Sequence, residues 1–119
     1  MSVRYENLVV IITGGGTGVG AAAAKILAEG GAKLVINYSR SQEEAEATAA
    51  SCNDLGGEAV TCQGDVGNDG DCRRMVDETL SRWGRIDGLL NNAGTTQLVA
   101  DNNLDSLNAD DFLHIYRVN

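Results

Sequence analysis

The sequence predicts an α/β fold built on a doubly wound parallel sheet, broken off after about four strands. Three observations carry this. Short apolar, β-branched runs alternate along the chain with longer segments of helical character. A glycine-rich run separates the first apolar stretch from the first helical one. Glycines close the helical segments where the next strand begins.

The elements follow in order. Leu8-Val9-Val10-Ile11-Ile12 is an apolar run that reads as a strand over about 8–13. The alanine-rich stretch over about 18–29 is strong helix-forming sequence, stopped by Gly30-Gly31. Lys33-Leu34-Val35-Ile36-Asn37-Tyr38 reads as the second strand. Ser41 is placed to cap a helix running to about residue 55, with Glu43 and Glu44 in its first turn and Gly56-Gly57 after it. Glu58-Ala59-Val60-Thr61-Cys62-Gln63 is a third strand, less apolar and so nearer a sheet edge. Asn68 or Asp69 caps a third helix, in which Met75, Val76, Thr79, Leu80 and Trp83 recur at helical spacing and Gly84 marks the end. Ile86-Asp87-Gly88-Leu89-Leu90-Asn91 is a fourth strand; a polar loop is expected over about 95–103, and a helix over 108–118.

Composition excludes several function classes. At 119 residues the chain holds one domain at most, and 43% hydrophobic content supports a modest core. A net charge of −8, with Arg73-Arg74 as the only adjacent basic pair, argues against nucleic acid. One Trp, three Tyr and one Phe provide no stacking platform for single strands. No stretch approaches the roughly 18 apolar residues of a membrane span, and the N-terminus has no apolar export core. Cys52, Cys62 and Cys72 are odd in number and widely spaced, which suits a reducing compartment and packing roles better than a disulfide framework or zinc site. The expected location is cytoplasmic.

Residues Thr13-Gly14-Gly15-Gly16-Thr17-Gly18-Val19-Gly20 join the first strand to the first helix. Glycines let backbone N–H groups approach an anion, and a helix start adds free N–H groups and a positive dipole end. With strand and helix on either side, this is a Rossmann-type arrangement, and a dinucleotide pyrophosphate is its natural occupant. A tight turn that merely packs helix on strand is the alternative. Gly15 and Gly20 have the Walker A spacing, but Ala21 stands where lysine is needed. The relaxed Gly-x-Gly-x-x-Ala pattern fits Gly16, Gly18 and Ala21. The spacing Thr-Gly-x-x-x-Gly-x-Gly, at Thr13, Gly14, Gly18 and Gly20, resembles the compact branch of the short-chain dehydrogenase/reductase family. The resemblance implies that Gly14, Gly16, Thr17, Gly18, Val19 and Gly20 face the cofactor.

The end of the second strand meets the adenosine ribose in such folds. A carboxylate there selects NAD and a basic group favours the 2′-phosphate of NADP. Tyr38-Ser39-Arg40 offers a guanidinium and hydroxyls with no carboxylate, so NADP (NADPH) is expected over NAD, unless Arg40 is only a solvated loop charge. Two further segments extend the resemblance. Asp65-Val66 looks like the family's adenine-contacting pair, and Asn91-Asn92-Ala93-Gly94 like its signature tetrapeptide, which implies that Asn92, Ala93 and Gly94 line the cofactor cleft. The cluster Asp65, Asn68, Asp69 and Asp71 fails the calcium-loop spacing at Gly67.

Asn119, after an apolar residue, looks like the family's catalytic asparagine, which holds a water in a proton relay. The family's chemistry also needs a serine and a Tyr-x-x-x-Lys pair. Val9 and Gln42 stand four residues after Tyr5 and Tyr38, and Tyr116 has no residue 120 to pair with. The expectation is therefore a cofactor-binding half, residues 1–119, without its catalytic half and inactive alone. Its parent would move a hydride between NADPH and a small carbonyl or alcohol. A non-catalytic nucleotide-binding or subunit-interaction chain is the alternative. The resemblance also implies a homo-oligomer contact through the helix at 108–118, and an uncovered edge on the fourth strand.

Overall fold

The computed structural model describes residues 4–16 and 18–91, together with the backbone of residues 97–99. Its elements are β1 (Val9–Thr13), α1 (Gly18–Glu29), β2 (Lys33–Tyr38), α2 (Gln42–Asp54), β3 (Glu58–Gln63), α3 (Asp69–Trp83), β4 (Gly88–Asn91) and β5 (Gln97–Val99). Among the described residues the sheet order is β3-β2-β1-β4-β5. The first four are mutually parallel, in registers such as Ile11↔Val35, Ile11↔Leu89 and Val35↔Val60. The chain therefore winds outward from β1 to β3 and then returns to the other side of β1, which is the doubly wound topology expected from the alternation.

Two expectations are corrected at the β4 side. Residues 97–99 form a strand, not part of a polar loop, and β5 runs antiparallel to β4 through Leu89↔Val99 and Asn91↔Gln97. The edge of β4 is thus paired within this chain instead of being left open, so its backbone groups keep hydrogen-bond partners.

Alternation along the strands splits the core between the two faces. Val10, Ile12, Leu34, Ile36, Ala59 and Leu90 point to the α1/α2 face, where Ala24, Ala28, Ala45, Ala49 and Cys52 meet them. The small residues Gly20, Ala24 and Ala28 recur every four positions and form the buried stripe of α1. Ile11, Val35, Cys62 and Leu89 point to the opposite face, against Cys72, Met75 and Val76 of α3. All five residues of β1 are buried, as a central parallel strand covered on both faces requires.

Helix ends follow the sequence in part. Asn68 caps α3, its side chain accepting from the Asp71 N–H at 2.9 Å, and Gly84 closes that helix in the left-handed conformation. Ser41 precedes α2 but makes no side-chain capping bond. Its φ/ψ of −90°/61° lies outside the extended conformation usual at a cap, and its carbonyl accepts from Ala45 N–H instead. Trp83 packs against the α3-face cluster and donates its indole N–H to Glu58, tying the end of α3 to the start of β3. Among the described residues no helix is long and apolar enough to cross a membrane.

A carboxylate locks the strand-start end of the sheet. Asp87, only 5% exposed, accepts from the Val9 N–H at 2.8 Å while its own N–H donates to the Val9 carbonyl at 2.7 Å. Arg85 binds the same carboxylate, with Nε 2.9 Å from Oδ2. The group thus satisfies a buried donor and is itself neutralised. Replacing it by alanine leaves Val9 N–H unpaired in the core. Asp87→Ala should lower unfolding stability by about 1–3 kcal/mol, read from urea midpoints; an unchanged midpoint would contradict this role.

Candidate functional site

The candidate site lies at the C-terminal ends of β1–β4. Thr13 stands beside Asn91 in the β1/β4 register, and Tyr38 beside Gln63 in the β2/β3 register. The C-terminal ends of all four strands therefore lie along one edge of the sheet. Chain order reverses between β1 and β4, so a crevice at this edge sits at the topological switch point, where open α/β sheets bind ligands.

Gly14 and Gly18 shape the turn. Their φ angles of 60° and 57° lie in the left-handed region, which side chains rarely adopt. Among the described residues nothing lies within 4 Å of a Cβ placed on Gly18, so it is backbone conformation that calls for glycine there. Gly16 is required for a different reason. A Cβ on it would stand 2.8 Å from Ala45 N and 3.0 Å from Ala45 Cα, so the start of α2 packs directly on the turn. Thr48 Oγ1 strengthens that contact by donating to the Gly16 carbonyl at 3.1 Å. α1 begins at Gly18 with no acidic residue in its first turn, whereas α2 opens with Glu43 and Glu44 and α3 with Asp69 and Asp71. The positive end of the α1 dipole is therefore not offset by a carboxylate of its own first turn, and this favours an anion beside it. Val19 is 59% exposed at the same helix start.

The other expected positions arrange themselves around this turn. Tyr38 is half-buried against the α1/α2-face cluster, while Ser39 and Arg40 are exposed beyond the end of β2. Asp65 is exposed, and its Oδ1 accepts from Gly67 N–H at 2.8 Å. Asp71 Oδ2, in the first turn of α3, accepts from Asp65 N–H at 2.8 Å and holds the loop against that helix. Val66 packs on the α3-face cluster. Asn91 is buried, and its Oδ1 accepts from Thr13 Oγ1 at 3.1 Å across the β1/β4 pair. Thr17, Asn92, Ala93, Gly94, Asn119 and the segment 108–118 lie outside the described residues.

Sequence reasoning gave no role to Asn37 or Thr48, and weighed Asp71 only within the rejected calcium-loop cluster. Asn37 could have been noticed as a buried amide near the end of a mostly apolar strand, and Asp71 lies only six residues from its partner Asp65; the partner of Thr48 is 32 residues away and leaves no local signal.

The remaining chemistry-bearing groups do not form a competing centre. Cys52, Cys62 and Cys72 are buried free thiols. Burial, then a hydrogen bond from the thiol to Glu78, pushes Cys62 up to about 11, and burial also raises Cys52 and Cys72, so all three stay protonated near neutrality. No group of three or more metal-ligating side chains occurs among the described residues. A cavity of about 620 Å³ lies between β3 and α3, lined by Val35, Val60, Cys62, Met75, Glu78 and Arg82 among others. Val35 and Val60 are mid-strand residues, which places this cavity away from the strand ends and from the glycine turn.

Comparison with known proteins agrees with this geometry. The short chain dehydrogenase family model matches residues 8–119. The short-chain dehydrogenase/reductase homolog YusS of Bacillus subtilis is 39% identical over 104 residues, covering 87% of this chain and 95% of that protein. A versicolorin reductase of Emericella nidulans is 34% identical over 98% of this chain, but the chain spans only 43% of its length. Most of the curated relatives compared are likewise matched over less than half their length. Among solved structures, one described as a short-chain dehydrogenase/reductase from Burkholderia xenovorans superposes with a TM-score of 0.72 at 38% identity, over 98% of this chain and 48% of the other. One described as a dehydrogenase from Burkholderia cenocepacia, with NADP bound, gives 0.67 at 33% identity over 76% and 34%. An NADH-dependent reductase complexed with NAD gives 0.68 at 30% identity over 74% and 36%.

The packing at Gly16 makes a direct test. Gly16→Ala drives a methyl group into the α2 backbone, and overpacking of this kind costs about 1–3 kcal/mol. Urea unfolding should show that loss, and an unchanged midpoint would mean that α2 does not bear on the turn.

Proposed function

Because the chain belongs to the short-chain dehydrogenase family, we propose that it is the NADP-binding portion, residues 1–119, of an oxidoreductase that moves a hydride between NADPH and a small carbonyl or alcohol. The observation that carries this reading is the turn itself: left-handed Gly14 and Gly18 lead into a helix whose first turn carries no carboxylate, at the switch point of a parallel sheet. Gly14, Gly16, Thr17, Gly18, Val19 and Gly20 would hold the pyrophosphate side. Asp65 and Val66 would border the adenine, and Asn92, Ala93 and Gly94 the inner wall of the cleft. The nicotinamide, when bound, supplies the hydride chemistry; the chain supplies position.

Preference for NADP rests on the segment after β2. Arg40 is exposed there, and the stretch Asn37-Tyr38-Ser39-Arg40-Ser41 has no carboxylate to repel a 2′-phosphate. The NADP found in one structural neighbour and the NAD in another support a dinucleotide site without choosing between them. Asn119 would hold a relay water in the parent enzyme, whose serine and Tyr-x-x-x-Lys pair have no counterpart in this sequence.

A second reading, a nucleotide-binding chain without turnover, is favoured by one observation: YusS is matched over 95% of its own length. Both readings require binding, so binding is tested first. Calorimetric titration should show NADPH binding more tightly than NADH. Arg40→Ala should weaken NADPH about tenfold or more, the value of one charge-assisted contact, while leaving NADH unchanged. Tighter NADH binding, or an Arg40 variant with native NADPH affinity, would refute the NADP assignment. Binding without oxidation of NADPH by a panel of ketones is expected of the 119-residue chain.

A further inference from the structure

Asn37 is the penultimate residue of β2 and follows the buried apolar residues Leu34, Val35 and Ile36. It is itself only 2% exposed. An amide in such a place is costly unless its hydrogen-bonding groups are used, and here they are used across three segments. Oδ1 accepts from Gly14 N–H at 3.3 Å, at the start of the glycine turn. Nδ2 donates to the Cys62 carbonyl and to the Gly64 carbonyl, both at 3.2 Å, where β3 gives way to the Asp65-Val66 loop. The backbone continues the link: the Asn37 carbonyl accepts from Gly15 N–H at 3.0 Å, and the Tyr38 carbonyl accepts from Gly64 N–H at 2.9 Å.

Gly14 and Gly64 belong to loops after different strands, and neither strand pairs with the other; β2 lies between them. A ligand that places an anion on the turn and a base beside Asp65 must span both loops, so the distance between them decides how well both ends engage at once. A leucine at position 37 would fill the core but fix nothing. We propose that Asn37 is a positioning residue: its amide joins the glycine turn to the Asp65-Val66 loop as one rigid unit and sets their spacing for an adenosine 5′-phosphate group. This rests on the dinucleotide reading above.

The test compares adenosine with adenosine 5′-monophosphate, each measured by displacement of NADPH from the full 119-residue chain. The ratio of their dissociation constants reports what the phosphate gains from the turn when the base is already seated. In the native chain AMP should bind about tenfold or more tightly than adenosine, as expected for charge-assisted bonds to a preformed site. Asn37→Ala should cut that ratio at least threefold. Asn37→Asp keeps the shape and the acceptor toward Gly14 but loses both donations; it should do the same and serves if the alanine variant does not fold. Asn53→Ala is the structural control. Asn53 bridges to Ala59 N–H and carbonyl at the start of β3, at 2.8 and 3.2 Å, away from the strand ends; its removal should leave the ratio intact. An unchanged ratio in the Asn37 variants overturns the proposal, and so does an equal fall in Asn53→Ala, which would signal general loosening. A native chain that binds NADPH yet shows no AMP advantage overturns the positioning role alone. Failure to bind NADPH at all overturns the dinucleotide reading with it.

Discussion

β1 pairs in parallel with β2 on one side and β4 on the other, and this central placement governs the rest of the molecule. A strand with parallel neighbours on both edges and helices on both faces must be apolar throughout, and Val9-Val10-Ile11-Ile12-Thr13 is buried at every position. The same placement puts the reversal of chain order directly beside the residue that ends the strand. The glycine turn therefore emerges at the crevice, with Asn91 at its flank and α1 opening away from it. Were β1 an edge strand, the same eight residues would sit beside a solvent-facing flank with no neighbouring strand end to close the site.

Polar groups buried at the two ends of the sheet hold this arrangement by different means. At the strand starts Asp87 links the backbone of β1 to the segment entering β4 and is balanced by Arg85. At the strand ends Thr13 meets Asn91, and Asn37 reaches across to Gly14 and Gly64. Between them the core is mainly apolar, layered on both faces. A one-residue slip in a parallel ladder would turn every side chain to the opposite face and mismatch the packing against the helices on both sides. The polar ties at either end add fixed reference points to that constraint.

Much of this was legible in the sequence, because local pattern and global fold agree. The first four strands, the first three helices and the glycine turn follow from periodicity and from the positions of glycine. β5 was not legible: Gln97-Leu98-Val99 is too short to show alternation, and it exists as a strand through its pairing with β4. Ser41 had the right identity and place for a cap, but the backbone around it follows the turn out of β2 and does not present its hydroxyl to α2. Gly16 was legible as a glycine the turn needs, but not the reason: the close approach of Ala45 depends on how α2 returns to the sheet. Asn37 and Thr48 act on partners brought near by topology, which no local window contains.

The central claim is that a dinucleotide sits on the strand-end edge at the β1/β4 switch point. Backbone amide chemical shifts of the ¹⁵N-labelled chain, followed while NADPH is added, test it most directly. The account predicts saturable changes at Gly14, Gly15, Gly18, Val19 and Gly20, together with Ser39, Arg40, Asp65 and Val66, and none at Gly30, Gly57 or Gly84 at the opposite end. Changes centred on Thr79 and Ser81 beside the α3 cavity, or spread over the strand starts, or absent altogether, would contradict it.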